Sequence, residues 1–376
     1  MDFGVCNSYL EIDFSIVSAN VEKIRAGIGQ HVRLMPVLKG NAYGAGMVPY
    51  AKHLTRECGI DIIACAEVCE SLQLHDAGIQ CELLVLAGVP YHNIPCVVSK
   101  GFMTPAYHIE YLERLNREAE LQNRLARVHI KLDTGLNRIG VLPGQELDAL
   151  CRAVSRMKHV SVVGAYTHFV ESDAVNKNFT HLQMKRFKAG LAQILRHGIK
   201  LEYIHAFNTS AVSWLQDSAV THIRAGGLFL GYDTCLEPVN GIGVEECMSW
   251  HSFVTNVRKI QQGETAGYGH TFRAERPTTI AVVSVGYGDG YSRHLAAFQG
   301  AEMIVNGHRA KIVAVCMDQM LLDVTGIDVR INDTVTLLGR DGTEYISAME
   351  LQQKMGQIYL AILAGITSRV QRVYIP

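Results

Sequence analysis

Lys39 stands at the end of an apolar run, in Val37-Leu38-Lys39-Gly40-Asn41-Ala42-Tyr43-Gly44-Ala45-Gly46. The stretch Leu34–Leu38 reads as a buried strand, and the glycines after it place the lysine where strand gives way to loop. Burying a lysine disfavours its ammonium and lowers its pKa. A neutral amine in such a place can condense with a carbonyl, that of pyridoxal phosphate (PLP) included. Such chemistry also needs a phosphate cradle, contacts to a ring and a second acid/base group. Polar candidates recur after other apolar runs: Lys131-Leu132-Asp133-Thr134-Gly135-Leu136-Asn137-Arg138-Ile139-Gly140, Thr167-His168, Asn208-Thr209-Ser210 and Arg224-Ala225-Gly226-Gly227. Taken singly these are a surface charge, a core histidine, a helix N-cap and a turn. Their shared position at the ends of successive runs is what points to a site.

The elements that must position them alternate. Strand-like runs at Leu34–Leu38, Ile60–Cys65, Leu83–Ala87, Gly101–Pro105, Val128–Leu132, Val160–Thr167, Tyr203–Phe207 and Thr221–Arg224 are separated by amphipathic segments such as Ile109–Gln122, Glu146–Met157 and Thr180–His197. This pattern predicts an α/β fold, a (β/α)8 TIM-type barrel, with the doubly wound sheet as the competing topology. Active residues of such a barrel sit at the C-terminal ends of strands, and the loops after the last two strands are its usual phosphate site. Asn208, Thr209 and Ser210 offer hydroxyl, amide and helix-start donors, while Gly226 and Gly227 allow close backbone approach. After about Pro238 the texture turns to short β-rich runs: Trp250–Ile260, Thr278–Val285, Ala301–Val305, Ala310–Val315, Met320–Val324 and Thr334–Leu338. They predict a C-terminal all-β domain over 239–376, a barrel over 13–238, and an N-terminal strand in 1–12 that joins the β domain.

Composition sets the class. The chain has 376 residues, 48% of them hydrophobic and 19% charged, with a net charge of −1. That length exceeds what one core usually serves, and the charge balance carries no footprint for nucleic acid or membrane. The ten cysteines form no CxxC pair and no zinc-like spacing, so no metal site is expected. Scattered thiols, with neither a signal peptide nor a membrane span in the sequence, point to a cytoplasmic protein.

These segments together resemble the alanine racemase family. Val37–Gly46 is similar to its PLP-lysine motif, and Lys131–Gly140, Thr167-His168, His205-Ala206-Phe207-Asn208-Thr209 and Arg224–Gly227 match in order. The β-rich part adds Ala266-Gly267-Tyr268-Gly269, Val285-Gly286-Tyr287-Gly288-Asp289-Gly290, Val315-Cys316-Met317-Asp318-Gln319 and Gly365-Ile366-Thr367-Ser368-Arg369-Val370. The resemblance implies a fold-type III PLP enzyme: an α/β barrel plus a β domain, paired as a head-to-tail homodimer with shared active sites and acting on a small amino acid. It implies that Lys39 binds PLP as a Schiff base and serves as one catalytic base. Tyr268, reaching into the other subunit's site, would be the second. Tyr43, Asn208, Thr209, Gly226 and Gly227 would hold the phosphate, Arg224 would face the pyridine nitrogen, and His168 would join it in a relay. Arg138 would contact the PLP phenolic oxygen or the substrate carboxylate, and Met317 the carboxylate from the other chain. Lys131 matches a position that is often carbamylated. Two bases suit racemisation, because one group can hardly reach both faces of the same carbon.

Departures from the family pattern bear on specificity. Gly40 replaces the usual Ala, Ala45 the common His, and Ala225-Gly226-Gly227 the usual Pro-Gly-Ile. Ser368 stands where a larger residue, often Tyr, is usual. The main expectation is an alanine racemase; the alternatives are a racemase with a serine or broader preference, and a PLP-dependent decarboxylase in which Cys316 mimics a partner cysteine. A non-catalytic PLP-binding protein would resemble the barrel alone, and a sensory module that keeps the fold is a further competing class.

Overall fold

The protein is described from a computed structural model over residues 6–29, 31–235, 241–270, 272–293, 300–356 and 358–376. Two compact units emerge: one holds the chain up to Ser15, Tyr43–Gly46 and Cys247–Pro376, the other Ile16–Ala42 and Met47–Glu246. The expected boundary near Pro238 lies outside the described residues.

The strands are β1 (Ser8–Asp13), β2 (Arg33–Leu34), β3 (Ile62–Cys65), β4 (Glu82–Val85), β5 (Thr104–Ala106), β6 (Ala126–Lys131), β7 (Val160–Tyr166), β8 (Tyr203–His205), β9 (His222–Ile223) and β10 (Met248–Ile260). Those from β2 to β9 belong to the second unit. Parallel ladders join β2 to β9, β3 to β4, and β5 through β6 and β7 to β8. Parallel bridges Val37–Ala64 and Leu84–Met103 link neighbouring pairs. Backbone bonds from Thr221 N to Ile204 O (2.9 Å) and from Arg224 N to Phe207 O (2.8 Å) connect the flanks of β8 and β9. Ile62-Ile63-Ala64-Cys65 is buried at every position. A parallel strand covered on both faces reads as a continuous apolar run for that reason. Met35, Val37, Ile62, Ala64, Leu84, Met103 and Tyr203, from these strands and the residues flanking them, pack into one core.

Helices separate the strands, each burying one stripe. Ile109–Leu121 buries Tyr111, Leu112, Leu115 and Ala119, at the helical period. Asn178–Arg196 buries Gln183, Met184, Phe187, Leu191 and Ile194; covering Phe187 alone is worth about 1.5–3 kcal/mol. Gly190 on that helix permits a close approach, since a Cβ there would meet Leu132 Cδ1 at 2.6 Å. The helix thereby supports the residue between Lys131 and Asp133.

The other unit continues with β11 (Thr265–Ala266), β12 (Phe272–Arg273), β13 (Thr278–Val283), β14 (Glu302–Val305), β15 (His308–Val315), β16 (Met320–Asp323), β17 (Thr334–Asp341), β18 (Glu344–Ile346) and β19 (Gln371–Ile375). β17, β14, β15, β16, β13 and β10 pair in that order, and β10 pairs back to β17, which closes a six-stranded barrel. β1 runs antiparallel to β10 and parallel to β19. The all-β expectation needs correction here, because helices occupy Ala348–Met355 and Tyr359–Ala364. Ser347 caps the first by accepting from Glu350 N at 3.0 Å, the Ser-x-x-Glu start that the sequence carries.

Candidate active site

Lys39 lies two residues beyond the Val37–Ala64 bridge. Contrary to the expectation of a buried lysine, its side chain keeps solvent contact. Its pKa is nonetheless lowered, first by the surrounding protein's desolvation and then by the positive charge of Arg138 and Arg224; Glu70 acts in the opposite direction. The amine is therefore easier to deprotonate than an ordinary lysine while remaining reachable.

Lys131, the last residue of β6, is buried, with its Nζ 4.4 Å from the centre of the Tyr166 ring. Burial lowers its pKa well below the usual value, with Arg224 and Arg138 adding to the effect and Asp133 opposing it. The loop after it folds back on itself: Asp133 N donates to Val141 O and Val141 N to Lys131 O, both at 2.9 Å. Asn137 at φ +55° and Gly140 at φ +135° make that return, and it leaves Arg138 exposed.

His168 lies just past β7 and Arg224 just past β9. Arg224, only 4% exposed, donates through Nη2 to His168 Nδ1 at 2.9 Å and to Thr167 O at 3.0 Å, and through Nη1 to His205 Nδ1 at 2.9 Å. A guanidinium can only donate, so both Nδ1 atoms accept and each neutral ring carries its proton on Nε2. His205 Nε2 then donates to His129 Nδ1 at 2.9 Å, and Tyr166 stacks on His205 at 4.7 Å. Burial, with Arg224, Lys131, Arg138 and Lys39 adding to it, pushes the His168 pKa down to about 2. Thr134 and Thr167 share a 2.8 Å hydrogen bond, and Gln183 donates to Thr134 at 3.2 Å and to His168 O at 3.3 Å. The long helix thus fixes both loops.

Asn208 caps the short helix Thr209–Val212, accepting from Ala211 N at 3.3 Å and from Ser172 Oγ at 2.7 Å. Gly226 N donates to Thr209 Oγ1 at 3.4 Å, which joins the loops after β8 and β9. Gly226 and Gly227 are buried. Electrostatic influence and hydrogen bonds thus bring Lys39, Lys131, Arg138, His168 and Arg224 together, with Asn208, Thr209, Gly226 and Gly227 beside Arg224. The other three candidates belong to the β unit. Tyr43 is buried at φ +53°, Tyr268 is 78% exposed beyond the β11 end, and Met317 is 53% exposed between β15 and β16.

Sequence reasoning named the His205 segment but gave that residue no role, and it passed over Glu70. The signal for Glu70 was available in the Glu67-x-x-Glu70 spacing of a helix start. Among the described residues no group of His, Cys, Asp and Glu could hold a metal ion, and no helix is long and apolar enough to cross a membrane.

Comparison with known proteins places this geometry. Residues 12–234 match the family model for the alanine racemase N-terminal domain, and residues 247–374 match the one for its C-terminal domain. The chain is 32% identical to the alanine racemase of Methanococcus maripaludis, over 98% of each chain. It is 34% identical to that of Symbiobacterium thermophilum, over 99% of this chain and 98% of the other. The structure of the Bacillus anthracis alanine racemase with bound L-Ala-P superposes with a TM-score of 0.93 at 30% identity, covering 99% of this chain and 96% of that one.

Proposed function

The chain belongs to the alanine racemase family, and on that premise we propose that it interconverts L- and D-alanine using PLP held at the rim shared by Lys39, Lys131, His168 and Arg224. The observation that carries this reading is the lowered pKa of an accessible Lys39 beside two guanidiniums. The donor set fits an anionic aldehyde cofactor. Arg138 and Arg224 bring fixed positive charge to both lysines of this rim, with Glu70 and Asp133 opposing them. The Thr209 hydroxyl and the buried Gly226-Gly227 backbone suit a phosphate. Hydrogen bonds running from β2 through β9 and back to β2 support a closed (β/α)8 barrel as the frame. All cysteines are free, which supports a reducing, cytoplasmic setting.

Bound at this rim, PLP supplies the electron sink that makes an amino acid's Cα–H acidic. Lys39 holds or takes a proton at Nζ on one face of that carbon, and Tyr268 from a second copy of the chain serves the other through Oη. The high exposure of Tyr268 and Met317 in a single chain supports a homodimer with shared sites. His168, with its proton on Nε2, can donate to the Tyr268 Oη of the second copy and orient it. Arg224, which cannot readily give up a proton, would hold the cofactor's ring nitrogen and would leave it unprotonated. Asn208, Thr209, Gly226 and Gly227 would hold the phosphate, a role that the family resemblance also gives to Tyr43. Arg138 would meet the cofactor's phenolic oxygen or the substrate carboxylate, and Met317 from a second copy of the chain would meet that carboxylate. The match to both family segments favours this reading over a non-catalytic PLP protein, and nothing in it favours a decarboxylase. A chiral assay on L-alanine tests the proposal: purified protein that yields no D-alanine with PLP present would refute it.

Lys131 is proposed to be carbamylated. A buried amine whose ammonium is disfavoured attacks carbon dioxide once deprotonated, a C–N bond forms and one proton leaves; the resulting anion is stabilised by Arg138 and Arg224. Growth or incubation with 13C-bicarbonate should produce a carbamate carbon resonance that Lys131→Ala removes. A spectrum identical in the two proteins would exclude the modification.

Ser368 is exposed. Its neighbour Thr367 is fixed by bonds from Oγ1 to Gly288 O at 3.1 Å and from N to Asp289 O at 3.0 Å. A small hydroxyl residue here leaves room for side chains larger or more polar than a methyl. We expect serine to be racemised with kcat/KM within about tenfold of alanine, a gap of about 1.4 kcal/mol. Ser368→Tyr should widen that gap. Strict alanine preference in both proteins would disprove the specificity role.

A further inference from the structure

Glu70 is the third residue of the helix Val68–Asp76. One carboxylate oxygen, Oε2, accepts from Ala66 N at 2.8 Å and Glu67 N at 3.1 Å. This much is ordinary capping of a helix start. The other oxygen, Oε1, accepts from Gly40 N at 2.8 Å, the N–H of the peptide bond that Lys39 itself forms. The cap therefore reaches across to the strand end that carries the lysine.

The segment after Lys39 needs such a restraint. Gly40, Asn41, Ala42 and Tyr43 have φ of 56°, 54°, 55° and 53°, so the chain makes a left-handed helical turn. Glycine enters that region freely and asparagine tolerates it, but Ala42 and Tyr43 are disfavoured there and hold the conformation only if their surroundings impose it. Asn41 Oδ1 accepts from Met47 N at 2.8 Å and secures the far end. Glu70 secures the near end. Its carboxylate also supports the Lys39 ammonium, against the opposing charges of Arg138 and Arg224; His168 faces the same cluster.

We infer that Glu70 is a positioning residue for Lys39: its carboxylate ties the lysine's own peptide bond to the helix start and fixes the left-handed turn from which the amine projects. The inference rests on the reading of Lys39 as the reacting amine. Its test does not require the cofactor. Acetylation of each lysine in the cofactor-free, full-length protein is followed by peptide mass spectrometry across a pH series, with the other lysines as internal references. Glu70→Gln removes the negative charge, so the ammonium of Lys39 loses support and its titration midpoint should fall below that of the wild type. Glu70→Asp keeps the charge but falls a methylene short of Gly40. Its midpoint should stay near wild type, while the high-pH rate at Lys39 changes at least about threefold because the amine is no longer held in place. Val68→Ala, a buried position on the same helix, is the control for lost stability and should change neither quantity. A Glu70→Asp profile equal to wild type, or a Val68→Ala profile equal to that of Glu70→Asp, overturns the positioning role. Binding of PLP by the wild-type protein, followed separately by absorbance, reports on the functional reading, so failure of one is not mistaken for failure of the other.

Discussion

Tyr268→Phe is expected to lower kcat/KM for alanine racemisation by about 10^3-fold while leaving PLP binding within about twofold, the scale of losing a positioned acid/base group. The substitution removes one oxygen and keeps the ring. Tyr268 is 78% exposed in its own chain, so the change removes little from that chain's core. The Lys39 side of the reaction remains. One enantiomer of alanine should therefore still exchange its Cα hydrogen for deuterium in heavy water, with retention of configuration, while inversion is lost. Exchange without inversion separates loss of one base from general damage to the site. If the variant racemises within about threefold of wild type, or loses exchange and inversion in parallel, the two-base assignment fails.

The framework of that site was legible because a parallel sheet covered on both faces writes itself as apolar runs. Ile62-Ile63-Ala64-Cys65 and Val160–Tyr166 fall inside the expected Ile60–Cys65 and Val160–Thr167. The polar residues after those runs were readable for the same reason, since a strand that has just left the core must end in groups that tolerate solvent or bind a ligand. Features set by a few backbone angles or by buried polar pairs were harder to read. β2 is regular only over Arg33–Leu34, with a single bridge at Val37, because the chain there is already heading into the left-handed turn. Nothing in Asn41-Ala42-Tyr43 announces φ > 0, and only the flanking glycines hint at it. His129 and His205 sit within strands that read as apolar, yet they form a hydrogen-bonded chain to Arg224. The helices at 348–355 and 359–364 were missed because β-rich neighbours masked the Ser347–Glu350 capping signal. The expected lowering of the Lys39 pKa by desolvation holds although solvent still reaches the side chain; what the sequence did not show is that two guanidiniums add to it.

Lys39→Ala should abolish racemisation, by about 10^3-fold or more, and should prevent borohydride from fixing PLP covalently to the protein. In the wild-type protein that reduction should tag the peptide containing Lys39 and no other. Lys39→Arg is the sharper control. It keeps a cation of similar length, but a guanidinium cannot supply a neutral amine at physiological pH, so it should be as inactive as the alanine variant. Arginine that sustains turnover would mean that only a charge is needed at this position. The shared-site arrangement gives the pair of variants a further consequence. Lys39→Ala supplies a sound Tyr268, and Tyr268→Phe a sound Lys39. If each site takes its lysine from one copy and its tyrosine from the other, mixing the two inactive proteins and allowing subunits to exchange creates mixed dimers with one intact site. Random pairing makes half of the dimers mixed, so activity should recover to about one quarter of wild type. Sites built within a single chain would recover nothing, because no rearrangement of subunits could then unite the two residues.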